Sequence, residues 1–240
     1  MVGAITAGTL IDSPFTWWKD AEKPFSFLRH TDENWLPGEH LGIDKRGHYF
    51  GAYAILKSIN TILQWGGVEP STALWWVAGV SFRNGLEIGD RFTPYGFDHQ
   101  DLVFDIAGTS CGILQAPVLF IQNVKFSYWS KVGFAFPANV TRDYDAMTIR
   151  LTAAVHRPLP EGPGKVWPDG LQLAVGFSVD DNQTRWEIAI GLDLHPEHRF
   201  PAPSEDVLLA QQTVDLRHLP MPAVKFTQEM VPRYYLFHFQ

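Results

Sequence analysis

Two groups of ionisable residues stand on otherwise apolar stretches of this 240-residue chain. The first, Asp44-Lys45-Arg46-Gly47-His48, opens the run YFGAYAILKSINTIL. The second comprises Glu87, Asp90 and Arg91, followed by Asp98, Asp101 and Asp105 at the start of DLVFDIAGTSCGILQAPVLFIQ. Charges on segments destined for burial are costly unless paired. They therefore mark either a polar network that fixes the fold or a site that binds something. Asp44 and His48, four apart, share one helix face, and Asp98, Asp101 and Asp105 share another. Three like charges on one stripe need cations, which Lys45, His48 and Arg91 can supply. A divalent cation with oxygen ligands at the Asp98–Asp101–Asp105 stripe would serve the same purpose; no other cofactor is evident. The chemistry open to such a set is acid–base work, with His48 as base oriented by an aspartate, or metal-assisted hydrolysis.

Each group also has a purely structural reading. Asp98 suits an N-cap, and Asp101 and Asp44 suit first turns, where negative charge is favoured. Glu87, Asp90 and Arg91 suit a local ion pair at a helix end. Asp105 fits least, because apolar residues follow it directly. The pattern is not a Ser/His/Asp triad, a cysteine zinc site, a phosphate loop or a HExxH helix.

The elements that position these residues differ between the two halves of the chain. Residues 1–124 read as a bundle of about four apolar helices. In one of them, Tyr49, Phe50, Tyr53, Leu56, Ile59, Ile62 and Leu63 recur at spacings of three and four, and Gly66-Gly67 ends it. Pro70-Ser71 opens the next, ALWWVAGVSFRNGLEIGD. Another begins near Asp98 and is expected to run to about Asn123. No charged residue occurs between Ile106 and Val124, although Pro117 and polar Gln115, Gln122 and Asn123 interrupt the run. This is about the length needed to span a bilayer and also what the central helix of a soluble bundle looks like, so partial membrane embedding is one of two expectations. Residues 125–240 switch to period-two alternation. Leu171, Leu173, Val175, Phe177 and Val179 oppose Gln172, Ala174, Gly176, Ser178 and Asp180. Trp186, Ile188, Ile190, Leu192 and Leu194 oppose Glu187, Ala189, Gly191, Asp193 and His195. Asp180-Asp181-Asn182-Gln183 is hairpin material, and MTIRLTAAV and RYYLFHFQ are further strands. The small-residue face is expected to pack closely, against the helices. The fold class is α+β: a helical half followed by an antiparallel β-sheet half packed on it.

The composition narrows the classes. A net charge of -7 argues against nucleic acid as a partner. Nine Trp residues are a heavy load, suited to interfaces and membrane boundaries. Cys111 is the sole cysteine, so no intrachain disulfide forms, and its small-residue surroundings suit packing. The opening MVGAITAGTLIDSPF lacks the positive n-region of a signal peptide and no lipobox cysteine is visible; a removed signal and a first helix both remain open.

The run FSFLRHTDENWLPGEHLGIDKRGHYFGAYAI resembles the opening of the YfiM-like predicted periplasmic lipoprotein family, a domain family of unknown function, in its long Bacteroidota-type form. The residues carrying the resemblance are Phe27, Asp32, Trp35, Asp44, Lys45, Gly47, His48 and Tyr53, then Glu87, Asp90, Asp98, Asp101, Asp105 and Gly108. The strands LQLAVGF and IGLDL and the late LPMPAVKF look like the longer members. The helical half, residues 1–124, is more distantly similar to VanZ-like membrane proteins, with Asp105 where those have asparagine. The resemblance implies a bacterial cell-envelope protein at the outer membrane or facing the periplasm, and brings no known reaction.

Residues and resemblance together lead to an accessory or scaffold subunit of a membrane complex, with membrane lipid and other envelope proteins as partners. The alternative is an envelope hydrolase or transferase acting on lipid or cell-wall material through His48, Asp44, Lys45, Glu87, Asp90, Arg91, Asp98, Asp101 and Asp105. A third reading is an outer-membrane β-barrel binder.

Overall fold

The computed structural model describes residues 39–69, 71–74, 97–115, 118, 121, 124–130, 147–153, 167–168, 171–180, 182, 184–194, 221–230 and 232–238. Two helices and a six-stranded antiparallel sheet are described, so the chain is α+β. A 3-10 turn at Glu39–Gly42 leads into α1, Ile43–Trp65. Helix α1 starts six residues before the apolar periodicity does, so the Asp44–His48 cluster lies inside its first two turns. It ends where Gly66-Gly67 predicts. Gly67 takes φ 79°, its N–H donates to Gln64 O and that of Val68 donates to Leu63 O, which caps the last carbonyls. Gly51 sits mid-helix with no heavy atom within 4 Å of where a Cβ would stand. Gly51→Ala should therefore raise the unfolding free energy by about 0.5–1 kcal/mol, read as a higher thermal midpoint.

Residues 71–74 are helical, and the second described helix, α2, spans His99–Leu114. Helix α2 as described ends at Leu114. The backbone N–H groups of Gln115 and Val118 still reach Cys111 O and Leu114 O, Ile121 is helical, and Val124 starts a strand. The rest of the stretch expected to be helical to Asn123, residues 116–117, 119–120 and 122–123, lies outside the described residues. Among the described residues no helix is long and apolar enough to cross a membrane, and the expected bundle of four is represented by two helices and the 71–74 turn.

Helices α1 and α2 pack along their length through small residues. Gly108 faces the Tyr49 backbone and Gly112 faces Leu56 and Tyr53. Leu56, Ile59, Leu63 and Ala73 form one apolar core with Val68 and Ile113 against it. Tyr53 Oη donates to Gln115 Oε1 at 3.2 Å.

The sheet is a meander in chain order: β1 Val124–Ser130, β2 Met147–Ala153, β3 Leu171–Val179, β4 Trp186–Leu194, β5 Met221–Thr227 and β6 Pro232–His238. The β3–β4 hairpin turns where expected, with Asp180 Oδ1 accepting from the N–H groups of Thr184 (2.7 Å) and Arg185 (3.0 Å). Strand β5 contains Pro222, accommodated by a register irregularity between Met221 and Ala223.

The helical half meets the sheet on the large-residue face, not on the small-residue face expected. Ile43 packs with Ile149 and Val179, and Leu41, Phe50 and Phe177 close around them. Arg46 completes the joint. Its guanidinium lies 3.6 Å from the Phe177 ring centroid, and Nη1 donates to Gly42 O at 3.0 Å.

Candidate functional site

Six of the residues singled out by spacing converge between α1 and α2. Lys45 and His48 project from the first two turns of α1, beside Asp44. Asp98 and Asp101 come from the N-terminus of α2, and Asp105 from its second turn. Asp98 does two jobs. As N-cap it accepts from Gln100 N through Oδ1 at 2.8 Å, and through Oδ2 it takes a hydrogen bond from Lys45 Nζ at 2.6 Å. Lys45 Nζ also donates to Asp101 Oδ1 and to Asp44 Oδ2, the latter at 3.2 Å. One ammonium with three donors is met by three carboxylates.

His48 is flanked at both ring nitrogens. Nδ1 lies 3.3 Å from Asp105 Oδ1, and Nε2 lies 3.5 Å from Asp101 Oδ2 and 3.8 Å from Asp44 Oδ1. With acceptors on both sides, the favoured species is the imidazolium, which donates twice. Burial by itself would lower its pKa. The hydrogen bond to Asp105 and the charges of Asp101, Asp105 and Asp44 overcome that and raise it to about 10. Lys45 follows the same logic: burial lowers its pKa, but the bonds to Asp101 and Asp98 win and hold it above the usual lysine value. Asp101 goes the other way. Burial, helped by Asp44, pushes its carboxyl to about 6 although His48 and Lys45 pull it down. Among the described residues, four carboxylates meet two cations here, and it is Asp101 whose carboxyl is held above the usual range.

These shifts give the pH dependence a definite sign. His48 has a higher pKa folded than unfolded. Its stabilisation is therefore complete below its ordinary value of 6.5 and is lost as pH rises through about 10. Asp101, also raised, costs nothing below its ordinary 3.8; its cost builds as pH rises above that value and is complete once pH passes about 6. Both effects favour mild acid. The thermal midpoint should be higher at pH 6 than at pH 9.5, and His48→Gln should flatten that slope; a profile rising towards pH 9.5 would contradict the assignment.

One further grouping bears on metals. Ligand atoms of Asp44, His48 and Asp101 all lie within 4.8 Å of one another. This is a different trio from the Asp98–Asp101–Asp105 stripe that spacing alone suggests for a cation. Glu87, Asp90 and Arg91 lie outside the described residues. A cavity of about 150 Å3 is lined by Leu56, Lys57, Asn60, Gln64, Leu74, Gly112 and Gln115, at the opposite end of the helix pair from the charges.

Spacing missed a second polar set, on the sheet. Arg150 Nη1 lies 3.9 Å from Asp193 Oδ2, and Lys225 Nζ pairs with Glu187. Arg150, Asp193 and Lys225 are buried. The alternation that places Glu187 and Asp193 on one face carries that signal, but Arg150 stands alone in MTIRLTAAV and draws no notice by itself.

Residues 32–117, a little over a third of the chain, match the model of a family described as "Predicted periplasmic lipoprotein (DUF2279)", a domain of unknown function. No curated protein and no solved structure matches the chain. The family description does not extend to the YfiM-like and VanZ-like particulars of the resemblance. The matched segment contains the whole Asp44–Lys45–His48–Asp98–Asp101–Asp105 cluster, and its description fits a cell-envelope, periplasm-facing location.

Proposed function

We propose that this is a non-catalytic envelope protein, an accessory or scaffold subunit, in which the six-residue network clamps α1 and α2 in one register. The supporting observation is that Lys45 and both ring nitrogens of His48 are directed at carboxylates of the same two helices. A histidine held as imidazolium has no lone pair to act as a base at neutral pH. The cavity between the helices also lies away from it. Buried polar groups that fix register are a known use of such networks.

The test is purification from native envelope under mild detergent, with mass spectrometry of what accompanies the chain. Stoichiometric envelope proteins are expected. A chain that purifies alone and hydrolyses envelope lipid or cell-wall fragments would overturn the reading. A second reading, metal-assisted hydrolysis, is favoured by the convergence of Asp44, His48 and Asp101. Cation binding there would have to displace the His48 proton. Equilibrium dialysis against Zn2+ and Mg2+ separates the two, since the clamp predicts no stoichiometric uptake at pH 7.

A further inference from the structure

The burial of the sheet is inverted relative to a sheet in water. On neighbouring strands, Leu151, Leu173, Val175 and Ile190 are 43–49% exposed. On the opposite face, Arg150, Thr152, Gln172, Asp193 and Lys225 are only 0–6% exposed. The register makes the exposed apolar side continuous: Leu151 pairs with Val175, Val175 with Ile190, and Leu173 with Leu192. The polar side is continuous as well. Arg150 pairs with Gly176, Gln172 with Asp193, and Ala189 with Lys225. Small residues on that side stand close to their neighbours. A Cβ at Gly176 would come within 3.3–3.8 Å of Thr148, Ala189 and the Arg150 side chain, and one at Gly191 would stand 2.5 Å from Pro222 O.

Water does not favour apolar side chains outside and an arginine, an aspartate and a lysine inside. Lipid does. Strands that alternate apolar-out with polar-in are the pattern of a bilayer-inserted β-wall. The lengths agree. Strands β3 and β4 have nine residues each, about 30 Å at ~3.3 Å per residue. Tilted by about 40°, they cover roughly 23 Å, close to the ~25 Å apolar band of such walls.

We propose that the apolar face of the β1–β6 sheet contacts the acyl chains of a lipid bilayer, with the helical half at its periplasmic rim. Two independent observations agree on the orientation. Among the described residues helix α1 covers the apolar face at one end, through Ile149, Phe177 and Val179, and the segment matching the periplasmic family contains that helix. At this same end β3–β4 and β5–β6 are joined by the brief connections 180–185 and 228–231, while the far end carries 154–170 and 195–220. Short periplasmic turns and long outer loops are the rule in outer-membrane walls; the connection 131–146 is the exception. Edge strands β1 and β6 must then pair with further strands or with a second copy, because open edges do not persist in hydrocarbon. This inference is independent of the role of the charge clamp.

The test uses the full chain refolded into phosphatidylcholine–phosphatidylglycerol vesicles. Val175→Cys and Asn182→Cys are labelled with a polarity-sensitive fluorophore, with wild type, carrying only Cys111, as the labelling control. Flotation that survives carbonate washing is expected. In vesicles with brominated acyl chains, the Val175→Cys label should lose at least half its emission and the exposed hairpin label at Asn182→Cys almost none. Ile190→Cys, on the paired strand, repeats the measurement if Val175→Cys fails to fold. A chain that stays in the aqueous fraction, as a monomer or as a dimer covering the face with a second copy, would overturn the proposal. So would flotation without quenching at both lipid-facing sites.

Discussion

Lys45→Met should lower the unfolding free energy by about 3–5 kcal/mol, the usual cost of removing one member from a buried ionic group. The substitution keeps the length of the stem and removes only the charge. Asp44, Asp98 and Asp101, which now share one ammonium, would then face one another with His48 as the remaining cation among the described residues. Against a total stability of roughly 5–15 kcal/mol for a domain, this change alone threatens folding. Lowering the pH should restore part of the loss, since protonating Asp101, already raised to about 6, relieves the repulsion. Denaturant unfolding of the variant at pH 7 and pH 5 reads both effects. A loss under about 1 kcal/mol at pH 7 would mean that the cluster is solvated.

Gly108→Ala should cost about 3 kcal/mol, the upper part of the usual range for overpacking, although alanine favours helices over glycine. The reason is what the methyl group meets. At Gly108 it would land on the carbonyl oxygen of Tyr49 and within 2.9 Å of its carbonyl carbon. Backbone of the facing helix cannot rotate away, so α1 and α2 must separate, and the clamp at Lys45 and His48 stretches with them. Gly112→Ala is the internal control. Its obstruction is the end of the Leu56 side chain, which can change rotamer, so a cost of only about 1 kcal/mol is expected. Equal effects at the two glycines would show that the helices are not held in fixed register.

The clamp was legible because its members repeat at helical spacing. Asp44 with His48, and Asp98 with Asp101 and Asp105, could share faces only if both segments were helical, and acids facing bases invited pairing. That Lys45 would be the hub was not legible, since spacing cannot rank three neighbouring cations. Asp98 shows that the structural and network readings were not alternatives, as its two oxygens serve the cap and the lysine separately. The alternation in β3 and β4 was equally plain, and their ends fell close to where it placed them. What alternation cannot provide is which face meets solvent. It separates Val175 from Gln172, and only three-dimensional placement reveals that the glutamine is the buried one. The end of α2 was less legible: lack of charge from Ile106 to Val124 suggested one helix to about Asn123, whereas the described helix ends at Leu114 and a strand starts at Val124.

The most direct measurement is the titration of the His48 imidazole by NMR, with its resonances assigned through His48→Gln. A clamp requires an imidazolium throughout the neutral range, with a midpoint near 10. A midpoint at or below about 6.5, the value of an unperturbed histidine, would leave His48 neutral and free to take a proton. That result would contradict the clamp and return the cluster to catalysis.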